Sequence, residues 1–187
     1  MNLQLTDLTA VVTGGSSGIG AAIVRALAEE GCSVHFCARH QASIDLALRA
    51  CDGLPGRVQA VALDVTDAAR FNDWLAEITA FDIFIPNVSA LSKEWERALR
   101  TDVQATVDNT EAAAPYVARS AHGAITYIGS KASSLAAPHS AAYGAVKAAM
   151  AHYMKSLALR LLPGVRVNVV SPGDTLFDGG SVAHVRV

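Results

Sequence analysis

Charge is scarce in this chain, and so is any bias in its sign. Only 17% of the residues are charged, and 17 acidic side chains against 15 basic ones leave a formal net charge of −2. The basic footprint that nucleic acid demands is therefore missing, and no nucleic-acid partner is expected. Long apolar runs are missing too, although hydrophobic residues make up 51% of the chain. None approaches the roughly 20 residues that cross a bilayer, so no membrane span is expected. The opening M-N-L-Q-L-T-D-L has no basic region followed by a long apolar stretch, so no secretory signal is expected either. Cysteines are few: Cys32, Cys37 and Cys51, odd in number and without metal-ligand pairing. They read as buried free thiols in a reducing cytoplasm, and the dispersed histidines add no metal site. Linkers, repeats and low-complexity tracts are likewise lacking. The 187 residues suffice for one domain with a real core, so residues 1–187 are read as a single domain.

What the chain does have is an alternation of two patterns. Short apolar runs, Leu8–Thr13, Ser33–Ala38, Val58–Leu63, Asp82–Ile85, Gly123–Gly129 and Val165–Val170, read as strands. Helical spacing fills the intervals near Ile19–Glu30, Gln41–Cys51, Ala68–Thr79, Ser92–Ala118 and Ser140–Leu162. Asp67 is placed to cap the third helix, Pro115 to kink or end the fourth, and Trp74 and Trp95 read as packing residues. The strands are apolar throughout rather than alternating, as strands covered on both faces are. The fold class is therefore α/β: a doubly wound, Rossmann-like parallel sheet in a three-layer α/β/α arrangement.

Ligands of such sheets bind outside the carboxyl ends of the strands. The first strand runs straight into Gly14-Gly15-Ser16-Ser17-Gly18-Ile19-Gly20, which opens the first helix. Glycine lets the backbone turn sharply and approach a diphosphate, and the helix N-terminus offers it N–H groups and a positive dipole end. The other strand ends carry Arg39 and His40, Asp64-Val65, Pro86-Asn87-Val88-Ser89, Ser130, and Ser171-Pro172-Gly173. Tyr143 and Lys147 follow Ser130, four residues apart on one helix face. Taken alone, Y-x-x-x-K arises often by chance, with a solvated lysine beside a packed aromatic. Convergence with the glycine turn and Ser130 on one sheet edge gives the pair a chemical reading, because a nearby ammonium favours a phenolate.

These motifs together, T-G-G-S-S-G-I-G at 13–20, Asp64-Val65, Asn87, Ser130, Tyr143-x-x-x-Lys147 and N-V-V-S-P-G at 168–173, resemble the short-chain dehydrogenase/reductase family. The resemblance runs along nearly the whole chain in the family's order. It implies an NAD(P)(H)-dependent oxidoreductase that moves a hydride between a nicotinamide cofactor and a small carbonyl or alcohol substrate. Tyr143 would be the general acid or base and Ser130 the donor to the substrate oxygen. Lys147 would lower the tyrosine's pKa and bond the nicotinamide ribose. The cofactor would lie along Gly14, Ser16, Ser17, Gly18, Ile19 and Gly20, with Asp64 and Val65 at the adenine and Asn87 on the adenosine side. Pro172, Gly173 and Thr175 would stand at the nicotinamide. Assembly as a homodimer or homotetramer is implied as well, with the Ala-rich faces at 112–118 and 141–151 as the pairing surfaces.

Three features qualify the match. At the end of the second strand stands Arg39 rather than a carboxylate, which favours NADP(H) over NAD(H) by pairing with a 2′-phosphate, with an ordinary surface arginine as the alternative. The family's helix-four asparagine is replaced by Asp102, an expected member of the catalytic set, with Asn109 nearby on the same helix. Finally, the family's C-terminal substrate segment and last strand are not represented before Val187, which fits a naturally short protein or a fragment. A non-catalytic dinucleotide-binding protein and a purely structural subunit are the alternatives that these departures raise.

Overall fold

The computed structural model describes residues 3–173, together with the backbone of Thr175–Asp178 and Val182–Val185. Six strands form one parallel sheet: β1 (Thr9–Thr13), β2 (Ser33–Ala38), β3 (Val58–Ala62), β4 (Ile83–Ile85), β5 (Ala124–Ile128) and β6 (Arg166–Val170). Their order across the sheet is β3-β2-β1-β4-β5-β6. Every expected strand is present to within a residue or two. The helices are α1 (Gly18–Glu29), α2 (Gln41–Arg49), α3 (Ala68–Ile78), α4 (Trp95–Ala98), α5 (Thr106–Val117) and α6 (Ala141–Arg160). Asp67 does cap α3, its Oδ1 accepting from the Arg70 N–H at 3.1 Å.

The sheet is covered on both faces because each inner strand presents apolar groups both ways. In β1, Val11 joins one core with Phe71, Trp74, Phe84, Tyr127, Met150 and Leu157. Its neighbours Ala10 and Val12 join the other, with Val24, Ala28, Phe36, Ile44 and Ala47 from the α1 and α2 side. Side-chain direction alternates along a strand, so the two cores share one backbone. The three expected thiols, Cys32, Cys37 and Cys51, are buried and free. Burial pushes the Cys37 thiol up to about 12 and the Cys32 thiol up to about 11.

Order reverses between β1 and β4, and this places the site. In register, Thr13 lies beside Cys37 and Val12 beside Ile85, so the turns after β1, β2 and β4 open together. On the other side Ile128 lies beside Val170, which brings Ser130 and Pro172 to one edge. The Lys131 N–H donates to the Pro172 carbonyl at 3.0 Å and fastens those two ends.

The structure departs from the sequence reading in four places. The helix expected over Ser92–Ala118 is broken into α4, a wider π-helical coil over Leu99–Ala105, and α5. In that coil the Thr106 hydroxyl donates to the Thr101 carbonyl, five residues back, at 3.1 Å. Of the kink or end expected at Pro115, the end does not fall there, since α5 continues to Val117. The proline removes one N–H donor, and the helix runs only two residues beyond it. Trp95, expected to pack, is 54% exposed on α4, where Ala98 supplies the buried position. A two-stranded antiparallel hairpin, β7 (Thr175–Asp178) with β8 (Val182–Val185), lies where no strand was expected.

Candidate active site

The glycine turn is shaped by close approach. Gly14 and Gly18 hold φ values of +71° and +54°, which side-chain-bearing residues adopt only under strain. A Cβ on Gly20 would sit 2.0 Å from the Gly14 carbonyl oxygen and 2.6 Å from Asn87 Nδ2, so α1 starts directly against the turn. The Asn87 amide donates to the carbonyls of Thr13 (3.0 Å) and Gly14 (3.2 Å), and its own N–H donates to Thr13 Oγ1 (3.0 Å). Asn87 therefore clamps the turn to the end of β4. Ser17 stands at the N-cap of α1 without a side-chain cap bond, leaving that N-terminus free to face an anion.

Around this turn opens a cleft of about 960 Å³. Gly14, Ser16, Ser17, Gly18, Ile19, Gly20, Arg39, Asp64, Val65, Asn87, Ser130, Tyr143, Lys147, Pro172 and Gly173 all line it. The structure thus gathers the predicted residues into one place, apart from two. Asp102 stands behind the wall, in contact with Lys147, and the side chain of Thr175 lies outside the described residues. The cleft suits a dinucleotide: it begins at an uncapped helix N-terminus, and exposed Arg39 lies on its wall.

At the end of β3, Asp64 Oδ1 accepts from the Thr66 N–H (2.9 Å) and hydroxyl (2.8 Å). Burial works against its charge, but the Thr66 bonds and the Arg39 and Arg100 guanidiniums prevail and hold the carboxyl below its ordinary range. The Asn109 amide donates to the Val65 carbonyl at 3.0 Å and so fixes this strand end. That settles which residue of the long helix reaches the lysine. Asn109 is committed to Val65, and Asp102 faces Lys147.

The other end of the cleft is built from β5 and α6. Ser130 caps the short 3₁₀ turn Lys131–Ser133 by accepting from the Ala132 N–H at 3.2 Å, which leaves its hydroxyl proton to donate. Tyr143 is half-buried on the first turn of α6. Lys147, one turn on, is 2% exposed, and its Nζ lies 5.7 Å from the Tyr143 ring centroid. Nζ donates to Tyr127 Oη (3.0 Å) and to the Ile128 carbonyl (3.3 Å). It also lies 3.5 Å from Asp102 Oδ1, an ion pair rather than a hydrogen bond. Asp102 Oδ2 accepts from the Ala90 N–H at 2.9 Å, while buried Oδ1 has no hydrogen-bond partner. Burial pushes the Lys147 ammonium below its ordinary value, and the Asp102 charge opposes that shift.

With this geometry in view, the comparisons with known proteins are decisive. The short chain dehydrogenase family profile matches residues 8–180. The chain belongs to that family. It is an NAD(P)-dependent oxidoreductase of the short-chain dehydrogenase/reductase type. An uncharacterised oxidoreductase of Mycobacterium tuberculosis is 34% identical over 92% of this chain and 71% of its own. The cis-4-hydroxycyclohexanecarboxylate dehydrogenase of Sinomonas cyclohexanicum is 31% identical over 100% of this chain and 81% of its own. Among solved structures, the L-sorbose reductase of Gluconobacter frateurii, complexed with NADPH and L-sorbose, superposes with a TM-score of 0.86. It is 27% identical over 92% of this chain and 72% of that one. Among the described residues, no helix of this dehydrogenase is long and apolar enough to cross a membrane.

Sequence reasoning missed several lining residues of the dehydrogenase cleft: Ser43, Arg97, Arg100 and Thr101. Arg97, Arg100 and Thr101 are spaced three and four apart just before Asp102, which is a one-face signal that the π-helical coil turns toward the cleft. Tyr127 was missed as well. Its signal was a tyrosine inside an apolar strand, since a buried hydroxyl needs a partner.

Proposed function

We propose that this short-chain dehydrogenase/reductase reduces a small carbonyl compound, or oxidises the matching alcohol, with Tyr143 as the proton-transferring residue. The observation that carries this reading is the convergence of Ser130, Tyr143 and Lys147 at one end of a cleft whose other end is an uncapped helix N-terminus. The nicotinamide cofactor, when bound, supplies or accepts the hydride. The residues of the chain supply the rest. Ser130 donates to the substrate oxygen and orients it. Tyr143 gives its phenolic proton to that oxygen in reduction and takes it back in oxidation. The Lys147 charge stabilises negative charge on the Tyr143 oxygen as the proton leaves. Asp102 offsets the burial of that ammonium.

NADP(H) is the favoured cofactor. Arg39 stands exposed on the cleft wall next to the end of β2, where no carboxylate is present to bond a ribose hydroxyl pair. Arg97 and Arg100 add positive charge to the same cleft. We read the protein as a single-domain cytoplasmic enzyme, which its three buried free thiols support. We also read it as a homodimer or homotetramer, for which the exposed Ala145 and Ala148 on α6 offer a close-packing face.

The test is NADPH oxidation in the presence of a panel of ketones, ketoses and β-keto esters. Wild type should turn over at least one class, NADH should serve less well, and Tyr143→Phe should lose at least a thousandfold in kcat. Retention of wild-type turnover by Tyr143→Phe removes the tyrosine from the mechanism.

A further inference from the structure

Beside the site, β5 carries a buried hydroxyl that the mechanism above does not use. Tyr127 lies in the middle of β5, 0% exposed, and is among the largest fully buried side chains. An apolar strand facing α6 would be expected to carry an aliphatic or phenylalanine there. Instead it carries a hydroxyl, and that hydroxyl accepts from Lys147 Nζ at 3.0 Å. The lysine is held from three sides: Tyr127 and the Ile128 carbonyl from β5, Asp102 from the π-helical coil, and the half-buried Tyr143 ring from its own helix. Nζ lies 4.9 Å from the Tyr127 ring centroid, at the hydroxyl end of the ring.

Three N–H groups must find acceptors on a buried ammonium. Within the protein it has two true hydrogen bonds, and the carboxylate at 3.5 Å is too long for a third. One of the two depends wholly on the Tyr127 oxygen. The Ile128 carbonyl is backbone and cannot be removed by substitution. Asp102 compensates charge but leaves Oδ1 without a hydrogen bond. The tyrosine oxygen is thus the one side-chain acceptor that fixes where Nζ sits relative to Tyr143.

We propose that Tyr127 is a positioning residue of hydride transfer, holding Lys147 charged and aimed beneath the Tyr143 ring. This rests on the reading of Tyr143 and Lys147 as the reacting pair. Burial, with the Asp102 charge and Tyr143 adding to it, pushes the Tyr127 phenol well above its ordinary value, so it stays a neutral hydroxyl at any working pH. Its role is then acceptance of a hydrogen bond from the ammonium, with no proton of its own to transfer. Removing the oxygen withdraws a bond that is stronger to the protonated lysine than to the neutral one, which makes the ammonium easier to discharge. Proton transfer from Tyr143 relies on the Lys147 charge, so an ammonium that discharges more easily cuts off carbonyl reduction at lower pH.

The experiment compares wild type, Tyr127→Phe, and protein carrying 3-fluorotyrosine at position 127, which keeps the shape and weakens the acceptor. Two readouts are taken: kcat against pH for carbonyl reduction with NADPH, and the titration of the Lys147 ¹³Cε signal by NMR. That signal is separated from those of Lys93, Lys131 and Lys155 by its burial. The expected result in Tyr127→Phe is a basic limb of kcat moved toward acid by about one pH unit, with plateau kcat several-fold lower. The Lys147 signal should move in the same direction, and the fluorotyrosine protein should show both effects at reduced size. Loss of thermal stability with both titrations unchanged overturns the proposal, as does a moved Lys147 signal with an unmoved kcat limb. Should Tyr127→Phe not fold, the fluorotyrosine protein decides by the same two readouts. If wild type itself turns over no carbonyl, the functional reading fails and the positioning role fails with it. The NMR titration then still reports whether Tyr127 holds the lysine's charge, so the two failures remain distinguishable.

Discussion

Asp102→Asn tests the electrostatics of the site without changing its shape. The amide oxygen can keep the bond from the Ala90 N–H, now 2.9 Å from Oδ2, so the loop after β4 need not move. What disappears is the negative charge 3.5 Å from Lys147 Nζ, in a place where both side chains are at most 2% exposed. At an effective dielectric constant of about 20, two unit charges at this separation attract by about 5 kcal/mol. Breaking a buried pair by removing one partner costs about 3–5 kcal/mol in measured cases.

The variant has one escape, which sets a ceiling. Lys147 can give up its proton on folding. From an unfolded value of about 10.4 that costs about 5 kcal/mol at pH 7 and only about 2 kcal/mol at pH 9. Burial already lowers the folded Lys147 value, and loss of Asp102 lowers it further. Between that depressed folded value and the unfolded one, the unfolded chain binds more protons than the native one. Stability of the variant therefore rises with pH across this window and is lost as pH falls. Urea unfolding followed by circular dichroism should show Asp102→Asn about 3–5 kcal/mol less stable than wild type at pH 7, with the gap narrowing to about 2 kcal/mol or less at pH 9. A gap below about 1 kcal/mol at pH 7, or one that does not shrink by pH 9, would refute the claim that Asp102 compensates a buried ammonium.

Other predictions follow from single contacts. Arg39→Ala should raise KM for NADPH about ten- to a hundredfold while leaving NADH nearly unchanged, as expected for loss of a charge-assisted bond to a 2′-phosphate; equal effects on both cofactors would make Arg39 an ordinary surface arginine. Gly20→Ala places a methyl 2.0 Å from the Gly14 carbonyl oxygen, a backbone atom that cannot step aside. It should weaken NADPH binding at least tenfold by calorimetry and cost about 1–3 kcal/mol of stability; an unchanged Kd would mean that the turn tolerates a looser approach. Glu111 accepts from Tyr153 (2.6 Å) and twice from Arg160 (2.6 and 2.7 Å), tying α5 to α6. Burial works against its charge, but those donors prevail and hold the carboxyl below its ordinary range. Its stabilisation is thus full above that range and lost as pH falls through the folded value. Because the pair is largely exposed, Glu111→Gln should lower Tm by only about 2–4 °C at neutral pH, with the difference from wild type closing below about pH 4.

The readable part of this protein is the part fixed by local rules. Strands such as Ser33–Ala38 and helices such as Ala68–Ile78, capped by Asp67, declare themselves because apolar period and cap chemistry act over a few residues. The glycine turn is legible for the same reason: Gly20 exists because nothing larger fits 2.0 Å from the Gly14 carbonyl oxygen. The wrong or missing readings share another cause. The break of the Ser92–Ala118 pattern into α4, a π-helical coil and α5 is not a propensity effect, because its residues are ordinary helix formers. It accompanies the turning of Asp102 toward Lys147, a contact 45 positions away in the chain. On α4 the buried position belongs to Ala98, and Trp95 is 54% exposed.

Tyr127 shows the limit most clearly. Its neighbours Ile125 and Ile128 read as a buried strand, and burial alone would make the tyrosine one more packing residue. Only the fold brings its oxygen to Lys147, 20 positions later and one layer away. The side chains on the lysine, Tyr127 from β5, Tyr143 from α6 and Asp102 from the π-helical coil, come from three elements that no local pattern relates. The motif Tyr143-x-x-x-Lys147 gives the lysine a place on a helix. What keeps a cation stable in a site 2% exposed is supplied by two residues outside that motif, and the pH dependence of the enzyme should follow those two as much as the motif itself.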